Sequence, residues 1–417
     1  MRVAVLGAGI VGTCCALALQ ARGAAVTLID RRAPGEETSH GNAGVIARSS
    51  LIPFNNPKLW RALPALLKNK SPGFRYDPRY LLKNAAWGTR FLSHARHAEF
   101  AYTTQSLDQL VTRSISEHER LRNEANVAQR YHKDGWLLCY RNDAGFEAAR
   151  WQREVFEAFN VRYEALDAEG LEANEPHLKK NSFSRAVWMK DAMSVDDPGA
   201  VVKAFARLFV ERGGTFVQTE IPAAQKEHFS KIISLKNVGY FDHVVVALGP
   251  WSPDFLAPLG IHVPMAFERG SHQQFYFENG AILNRPIYDV SGGYVLAPMA
   301  GGARLTTGVE LAPRDAPRSH AQLALATRAA EAIIPLTVSP AHAPWSGARP
   351  TLPDSRPIIG ASSRFAQLWF AFGHQHIGFS TGPGTGAMLA ALILNTGADS
   401  AVAQMESAPF SARRFSL

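Results

Sequence analysis

Residues 3–20, VAVLGAGIVGTCCALALQ, decide the fold of this chain. Residues 2–6 form a short apolar run that is typical of a buried strand, and apolar residues recur at helical spacing over residues 11–21. A second β-branched run, residues 26–30, follows at once. The stretch therefore predicts a strand, a helix and a second, parallel strand, the βαβ unit of nucleotide-binding domains.

Three glycines and one acid supply the chemistry of this unit. Gly7 permits the tight turn, Gly9 lets a pyrophosphate approach the backbone, and Gly12 lets helix and strand pack closely. The free N–H groups that begin the helix attract the pyrophosphate, and Asp30 is placed to accept hydrogen bonds from ribose hydroxyls. Arg31 either receives the 2′-phosphate of NADP or packs near the adenine, which is the interpretation we favour. The unit alone fits NAD, NADP and FAD.

Composition narrows the class of protein. The chain has 417 residues, 46% of them hydrophobic and 19% charged, which suits a folded globule with a large core and two domains. The net charge of +8 fits an anionic small molecule or an anionic membrane surface better than a nucleic acid, because the basic residues look scattered. Three cysteines provide no disulfide framework and no zinc spacing, so we expect a reducing compartment and no metal.

No apolar run approaches the roughly 20 residues that span a bilayer. We therefore expect a cytoplasmic protein with, at most, peripheral contact with the inner face of the cell membrane. The apolar, lysine-containing piece LWRALPALLKNKSP, residues 59–72, is interpreted as a surface helix and loop, with membrane docking as the alternative. The oligomeric state is left open.

The pattern along the chain predicts an α/β protein with a discontinuous, Rossmann-like nucleotide domain. βα elements occur at the start, middle and end of the chain. Residues 51–124 are interpreted as an insertion, first interrupted by prolines and then helical, that covers another part of the molecule. Short strands alternate with turns over residues 262–311, which favours an antiparallel sheet. We assign residues 1–50, 145–255 and 345–417 to the nucleotide domain, and 51–144 and 256–344 to an α+β substrate domain built on that sheet.

Three further motifs argue for a longer cofactor than NAD. The loop ETSHGNAGVIA, residues 37–47, is rich in donors and follows the second strand where a classical NAD domain would continue with a βα unit. VVVALGPWS, residues 244–252, is a buried strand ending in glycine. GHQHIGFSTGPGTG, residues 373–386, predicts a glycine-rich loop with a helix from about Thr385, whose N-terminus would stabilise negative charge on a reduced flavin. For the first and last motifs, an ordinary turn and helix start is the simpler alternative.

These motifs, together with GARPTLPDSRPIIG at residues 347–360, resemble in order and spacing the FAD-dependent D-amino-acid oxidase superfamily. The bacterial D-amino-acid dehydrogenase branch, with its glycine-oxidase and hydroxyproline-dehydrogenase relatives, is the most similar. The resemblance extends from residue 2 to about 395. It implies a non-covalent FAD, because His40 lies one place away from the histidine that tethers flavin in some amine dehydrogenases. The residues implied to contact FAD are Gly7, Gly9, Ile10, Val11, Gly12, Asp30, Arg31, Ser39, His40, Gly41, Asn42, Ala43, Gly44, Ile46, Ile221, Ala247, Leu248, Gly249, Trp251, His376, Ile377, Gly378, Phe379 and Ser380.

The resemblance also implies the residues that bind the substrate. The Arg of the G-x-R-P segment, Arg349, corresponds to the arginine that holds the substrate carboxylate, and Tyr288 and Tyr294 resemble the tyrosines that assist it. A planar guanidinium suits a carboxylate by its own geometry. The alternative is a surface Arg349 paired with Asp354. His272, on a predicted strand of the same sheet, is a weaker candidate for the pocket.

The predicted activity is oxidative deamination of a D-amino acid or a small secondary amino acid. A hydride leaves Cα for flavin N5, and water hydrolyses the imino acid to a 2-oxo acid, with Arg349 orienting the substrate. Oxygen, a quinone or a partner protein takes the electrons. The alternatives are a glycine or iminodiacid oxidase, a D-hydroxyproline dehydrogenase, a 2-hydroxy-acid flavoenzyme, a flavin subunit of a hetero-oligomer, and an NAD(P)-dependent dehydrogenase.

Overall fold

The opening βαβ unit forms where the sequence predicts it, as β1 (Arg2–Leu6), α1 (Ile10–Gln20) and β2 (Ala25–Asp30). The protein is seen in a computed structural model, which describes residues 1–221, 224, 233–235, 238–317, 319–395 and 398–417. The other strands are β3 (Val45–Ile46), β4 (Phe74–Tyr76), β5 (Tyr131–His132), β6 (Trp136–Tyr140), β7 (Tyr163–Asp167), β8 (Arg185–Met189), β9 (Met193–Val195), β10 (Thr215–Gln218), β11 (Ile233–Leu235), β12 (Gly239–Phe241), β13 (His243–Val246), β14 (Ala266–Phe277), β15 (Ile287–Asp289), β16 (Tyr294–Met299), β17 (Gly302–Thr307), β18 (Val309–Leu311), β19 (Leu336–Val338), β20 (Trp345–Thr351), β21 (Ile358–Ala361) and β22 (Leu368–Phe372).

The helices pack against both sheets. They are α2 (Leu59–Leu66), α3 (Pro78–Lys83), α4 (Ala85–Ser93), α5 (His97–Glu124), α6 (Asp143–Ala148), α7 (Arg150–Ala158), α8 (Ala168–Asn174), α9 (Pro198–Glu211), α10 (Ser252–Leu256), α11 (Ala321–Glu331), α12 (Gly378–Leu394) and α13 (Ala398–Ser407). In the described ranges, no helix is both long and apolar enough to cross a bilayer.

The first sheet has six strands in the order β10-β2-β1-β13-β22-β21, all parallel except for β21 against β22. Residues Val3 to Leu6 of β1 are fully buried, because apolar clusters cover both faces of the sheet. One cluster contains residues of α1, α5, α9 and α12. The carboxyl ends of β2, β1, β13 and β22 therefore lie side by side at one edge, where α/β sheets bind ligands.

The second sheet has eleven strands, with the path β4-β18-β14-β17-β16-β15-β6-β8-β7 and with β19 and β20 paired to β14. It is antiparallel, as residues 262–311 predict, except for the parallel pairs β15 with β6 and β18 with β4. Strands β7, β8 and β20 belong to this sheet, although we assigned their residues to the nucleotide domain. Their partners are distant in sequence, so local pattern does not reveal the pairing.

The insertion of residues 51–124 covers the space between the two sheets. Its first helix, α2, buries none of its residues, whereas α5 buries a stripe against α12. Helix α12 begins at Gly378, seven residues before the predicted start at Thr385. The glycines and Pro383 in this stretch disfavour a helix locally, and packing against α1 and α5 overrides that preference.

Candidate active site

A continuous cavity of about 1190 Å³ runs from the carboxyl edge of the six-stranded sheet to the face of the eleven-stranded sheet. Gly7 and Gly9 follow β1, Ala247 follows β13, and residues 374–380 follow β22 along its walls. Single-ligand pockets usually enclose about 300–1,000 Å³. The cavity is therefore large enough for a dinucleotide and a second, smaller molecule.

The glycine turn is required sterically at two positions. Gly7 has a φ of +104°, and a Cβ on it would lie 2.4 Å from the carbonyl oxygen of Ala247 on the neighbouring strand. A Cβ on Gly12 would lie 1.8 Å from the carbonyl oxygen of Gly7. Gly12 does not itself reach the cavity. It acts by letting α1 approach the turn.

Two side chains hold this turn in shape. The Asp30 carboxylate accepts hydrogen bonds from the backbone N–H groups of Ala8 (2.6 Å) and Arg32 (3.0 Å). The Ser39 hydroxyl accepts a hydrogen bond from Ile10 N–H at 3.0 Å, at the start of α1. Asp30 and Ser39 both line the cavity. A loop distant in sequence thus reaches the N-terminus of the helix that would face a pyrophosphate.

Arg31 is occupied by its own neighbours. Its Nη2 lies 2.7 Å from Glu37, and its guanidinium lies 4.5 Å from the centre of the Trp251 ring. Both Arg31 and Trp251 line the nucleotide end of the cavity. The contacts favour packing beside an adenine over binding of a 2′-phosphate.

Arg304 anchors the loop of residues 37–47. It is 4% exposed, and its Nη1 donates to the carbonyl oxygens of His40 (2.7 Å) and Asn42 (2.8 Å). The loop carbonyls therefore face the arginine on one side, while Gly41, Asn42 and Ala43 line the cavity on the other. The imidazole of His40 lies outside the cavity lining, beside the His272 ring at 5.8 Å.

The N-terminus of α12 is held by a histidine from α5. Pro383 has no N–H, so the carbonyl of Phe379, four residues earlier, lacks its helical donor. His118 Nε2 donates to that carbonyl at 3.0 Å, and its Nδ1 lies 3.1 Å from the Tyr131 hydroxyl. Burial lowers the pKa of His118 to about 4, so the ring is neutral at neutral pH. The first residues of α12, including Gly378 and Ser380, line the cavity.

Twenty of the 24 predicted cofactor residues line the cavity. The four that do not are Gly12, His40, Gly44 and Ile46. Gly44 has a φ of +78° and lies in a turn, closed by Asn42, that leads into β3. Gly44 therefore shapes the loop without lining the cavity. Asn42 Oδ1 accepts the hydrogen bond from Gly44 N–H at 2.7 Å.

Arg349 lies on β20 and lines the cavity. Its Nη1 donates to the carbonyl oxygen of Gly308 (3.1 Å) and its Nη2 to that of Thr307 (3.4 Å). Asp354, the alternative partner, pairs instead with Arg356 (3.0 Å) and Arg414 (2.6 Å). The guanidinium crosses Gly270, where a Cβ would lie 2.4 Å from Nη2.

Glu268 is directly opposite Arg349 in the pairing of β14 with β20. It lines the cavity, is 3% exposed, and its Oε2 accepts no hydrogen bond from the part of the chain that the structure describes. Burial raises the pKa of Glu268 to about 7, and the Arg349 charge opposes that rise. An arginine and a carboxyl group thus share one end of the cavity.

The two candidate tyrosines face opposite sides of the sheet. In the pairing of β15 with β16, Tyr288 is opposite Val295, and Tyr294 is opposite Asp289. Tyr288 lines the cavity and stacks on Trp136, with ring centres 6.3 Å apart. Tyr294 contributes to the wall but is 1% exposed, and it packs in the apolar cluster on the far face. Only Tyr288 presents its ring on the cavity face of the sheet.

His272 lies outside the cavity lining. Its ring stacks on Trp345 with centres 5.0 Å apart, and its Nδ1 lies 3.3 Å from the carbonyl oxygen of Gly41. Burial lowers the pKa of His272 to about 3. The structure thus gives His272 a packing role beside the 37–47 loop.

Comparison with known proteins decides the family. The model of the DAO family, described as FAD dependent oxidoreductase, matches residues 2–392. The chain belongs to this family. It is 28% identical to a D-amino-acid oxidase of Bradyrhizobium diazoefficiens, over 99% of this chain and 98% of that protein. It is also 28% identical to a D-amino acid dehydrogenase of Granulibacter bethesdensis, over 94% and 96%.

Solved structures share the fold. The structure of L-proline dehydrogenase from P. horikoshii superimposes with a TM-score of 0.74 at 20% identity, covering 100% of this chain and 98% of that one. Glycine oxidase from Geobacillus kaustophilus gives a TM-score of 0.70 at 18% identity, covering 98% of each. These comparisons confirm the predicted family, the fold class and the FAD cofactor of this oxidoreductase. They exclude the NAD(P)-dependent alternative.

The residues of this DAO-family enzyme fit FAD. The turn at Gly7 and Gly9 leaves a cradle that side chains would fill, Asp30 and Ser39 hold its shape, and the cavity continues past the 37–47 loop to α12. Within the described ranges, no group of three His, Cys, Asp or Glu residues could hold a metal ion.

Sequence reasoning missed three residues of this site. His118 falls on the apolar stripe of α5 with Leu107, Leu110 and Leu121, a placement that marks a buried histidine. Glu268 and Arg304 are charged residues inside strands, yet nothing local shows that either is buried. Their roles depend on partners in other strands and loops.

Proposed function

We propose that this FAD-dependent oxidoreductase oxidises the Cα–N bond of a D-amino acid or a small secondary amino acid. The single observation that supports the proposal is Arg349, a guanidinium held on the cavity wall by two backbone carbonyls and not paired with Asp354. Arginine binds carboxylates through two parallel hydrogen bonds. The names of the two curated relatives favour a D-amino acid as the molecule that brings the carboxylate.

Each residue has a defined task in this reaction. Arg349 binds the substrate carboxylate and so limits the orientations of Cα, the main contribution of a protein whose cofactor supplies the chemistry. Gly308 and Thr307 fix the guanidinium before substrate arrives. Tyr288 lines the cavity on the same sheet, farther from Arg349, on β15.

Bound FAD supplies the acceptor for the hydride of the Cα–H bond. The nitrogen loses a proton, a C=N bond forms, and water then hydrolyses the imino acid to a 2-oxo acid, with release of ammonia from a primary amino acid or of an amine from a secondary one. A substrate with a neutral amine needs no strong base. Residues of the insertion line this part of the cavity and so limit the access of water to the reacting carbon.

Anaerobic reduction of the purified protein tests this proposal. D-amino acids, L-amino acids, secondary amino acids and 2-hydroxy acids are mixed separately with the flavoprotein, and bleaching of the flavin absorbance is followed. We expect reduction by D- or secondary amino acids. Reduction by 2-hydroxy acids alone would establish the hydroxy-acid alternative, and a flavin that none of them bleaches would indicate a subunit that needs a partner.

We also propose peripheral contact with a membrane through residues 51–93. The basic residues are less evenly scattered than we expected, because this segment contains eight Lys or Arg and one Asp, a net charge of +7 out of +8. Trp60 is 48%, Leu67 53% and Leu82 79% exposed on the same segment. Exposed apolar residues beside lysines suit an anionic lipid surface. A quinone held in that membrane is the electron acceptor that such contact favours.

A further inference from the structure

A row of side chains crosses four neighbouring strands away from Arg349. The carbonyl of Thr307 accepts a hydrogen bond from Arg349. Thr306, the preceding residue of β17, is opposite Val295 of β16. Val295 is opposite Tyr288 of β15, and Tyr288 is opposite Leu138 of β6. Paired residues share a face of the sheet, and all four members of the row line the cavity.

The row is long compared with a small substrate. Neighbouring strands lie about 4.8 Å apart, so Thr306 to Leu138 spans roughly 14 Å. Strand β6 extends the wall along its own length, because Trp136, Leu138 and Tyr140 alternate on the cavity side. Phe156 of α7 closes the far end.

The insertion covers the part of the cavity beside this row with apolar side chains. Cavity-lining residues from this segment include Leu59, Leu63, Phe74, Trp87 and Phe91. The parts of the wall contributed by residues 41–92, 136–156 and 288–311 contain no Asp, Glu, Lys, Arg or His among the described residues. Charged residues and histidines of the wall are confined to the nucleotide end and to the region of Arg349, Glu268, His374 and His376.

From this arrangement we infer that the substrate has a large apolar side chain, aromatic or long aliphatic, which lies along the row from Val295 to Leu138. The inference rests on the proposed function, because it takes the substrate carboxylate to bind Arg349. A charged side chain would lose its hydration against this wall without gaining a partner. A glycine-sized substrate would leave the wall hydrated and forfeit the apolar contact.

The test compares substrates in anaerobic flavin reduction by the intact flavoprotein. D-phenylalanine, D-leucine and D-methionine are compared with glycine, D-alanine, D-aspartate and D-lysine. We expect kcat/KM to be at least about 100-fold higher for the first group, since pocket discrimination of this kind spans about 10- to 200-fold per methylene group. Faster reduction by glycine, D-alanine or the charged amino acids would overturn the side-chain assignment and leave the proposed function intact. Reduction by no amino acid would overturn the proposed function itself.

Two variants of Val295 test whether the substrate side chain lies along this row. Val295→Asp puts a carboxylate in the apolar wall, and Val295→Asn supplies a neutral side chain of the same size. We expect the Asp variant to retain its flavin, to lose at least about 10-fold more kcat/KM for D-phenylalanine than the Asn variant, and to improve with D-lysine. Equal effects of both variants on both substrates would contradict the assignment. Val338→Asp, at a 44% exposed strand position outside the cavity lining, is the matched control.

Discussion

Glu268 and Arg349 face each other across the β14–β20 pair, one buried carboxyl group beside the guanidinium that we propose as the substrate anchor. The two groups are not within ion-pair distance in the part of the chain that the structure describes, because Arg349 donates to Gly308 and Thr307. Each nevertheless affects the other: the Arg349 charge favours ionised Glu268, and ionised Glu268 favours charged Arg349. Glu268 can therefore balance the arginine charge when no substrate carboxylate is present.

Glu268→Gln should change how stability depends on pH. The pKa of Glu268 is raised from 4.5 to about 7, so between these values the unfolded chain ionises while the folded protein keeps its proton. The native protein binds more protons, and its stability falls as pH rises, by about 3 kcal/mol in total. The glutamine variant lacks this loss. Thermal unfolding from pH 4.5 to 8 should show the stability of the variant rising relative to that of the native protein. A constant difference across this range would refute the raised pKa of the buried Glu268 carboxyl group.

Arg349→Ala should reduce kcat/KM for amino acids by about 2 to 4 kcal/mol, or roughly 30- to 1,000-fold, because a charged hydrogen-bond pair is lost. Flavin content should not change, since the guanidinium contacts the second sheet and not the glycine turn. Anaerobic flavin reduction measures the effect. Arg349→Lys, which keeps the charge but not the two parallel donors, should recover only part of it. Unchanged activity in the alanine variant would show that Arg349 does not bind the substrate carboxylate.

His118→Leu should weaken flavin binding by about 5- to 30-fold, the value of one buried hydrogen bond. The Phe379 carbonyl, which Pro383 cannot satisfy, would then have no donor at the start of α12. Flavin release during titration with a competing apoprotein measures the change. Adding Pro383→Ala to the His118→Leu variant introduces a helical N–H that can donate to the Phe379 carbonyl and should recover part of the affinity. Native affinity in the single variant would show that α12 does not need His118.

Arg304→Met should weaken flavin binding by about 10- to 100-fold, because two hydrogen bonds to the loop carbonyls of His40 and Asn42 are lost. The substitution keeps most of the side-chain volume, so the β17 strand should remain packed. Equilibrium flavin binding to the apoprotein is the measurement. Arg185→Met, at a 42% exposed arginine that pairs with Asp143, is the matched control and should bind normally. Equal flavin affinity of the two variants would show that Arg304 does not support the cofactor site.

Lys68→Gln with Lys70→Gln should reduce co-sedimentation with vesicles of phosphatidylglycerol. Each basic residue near an anionic surface contributes about 1 kcal/mol, an effect that salt screens. Vesicles of phosphatidylcholine should not bind the native protein. Lys179→Gln with Lys180→Gln, an exposed pair outside residues 51–93, serves as control. If both double variants bind alike, residues 51–93 are not the docking segment.

The opening βαβ unit and its glycine turn were predictable because their requirements are local. Gly7 must adopt a positive φ and Gly12 must lie against the Gly7 carbonyl, whatever the rest of the chain does. Most of the residues that the family motifs predicted for the cofactor line the cavity, and so does Arg349. The motifs did not predict that Tyr294 lies on the far face of the sheet, because a motif gives residue types and not the face on which each side chain lies.

The sequence by itself determined the α/β class and the dinucleotide turn at Gly7 to Gly12, because a strand, a glycine turn and a helix that follow one another are specified by local residue types. The flavin was predicted from the order and spacing of the later motifs, which resemble those of one family. Tertiary structure decided the rest of the active site. Strand register, set by pairing between segments far apart in the chain, put Tyr288 on the cavity face and Glu268 opposite Arg349. Buried polar partners such as His118 with Phe379 arise only when helices pack and a carbonyl without a donor must be satisfied.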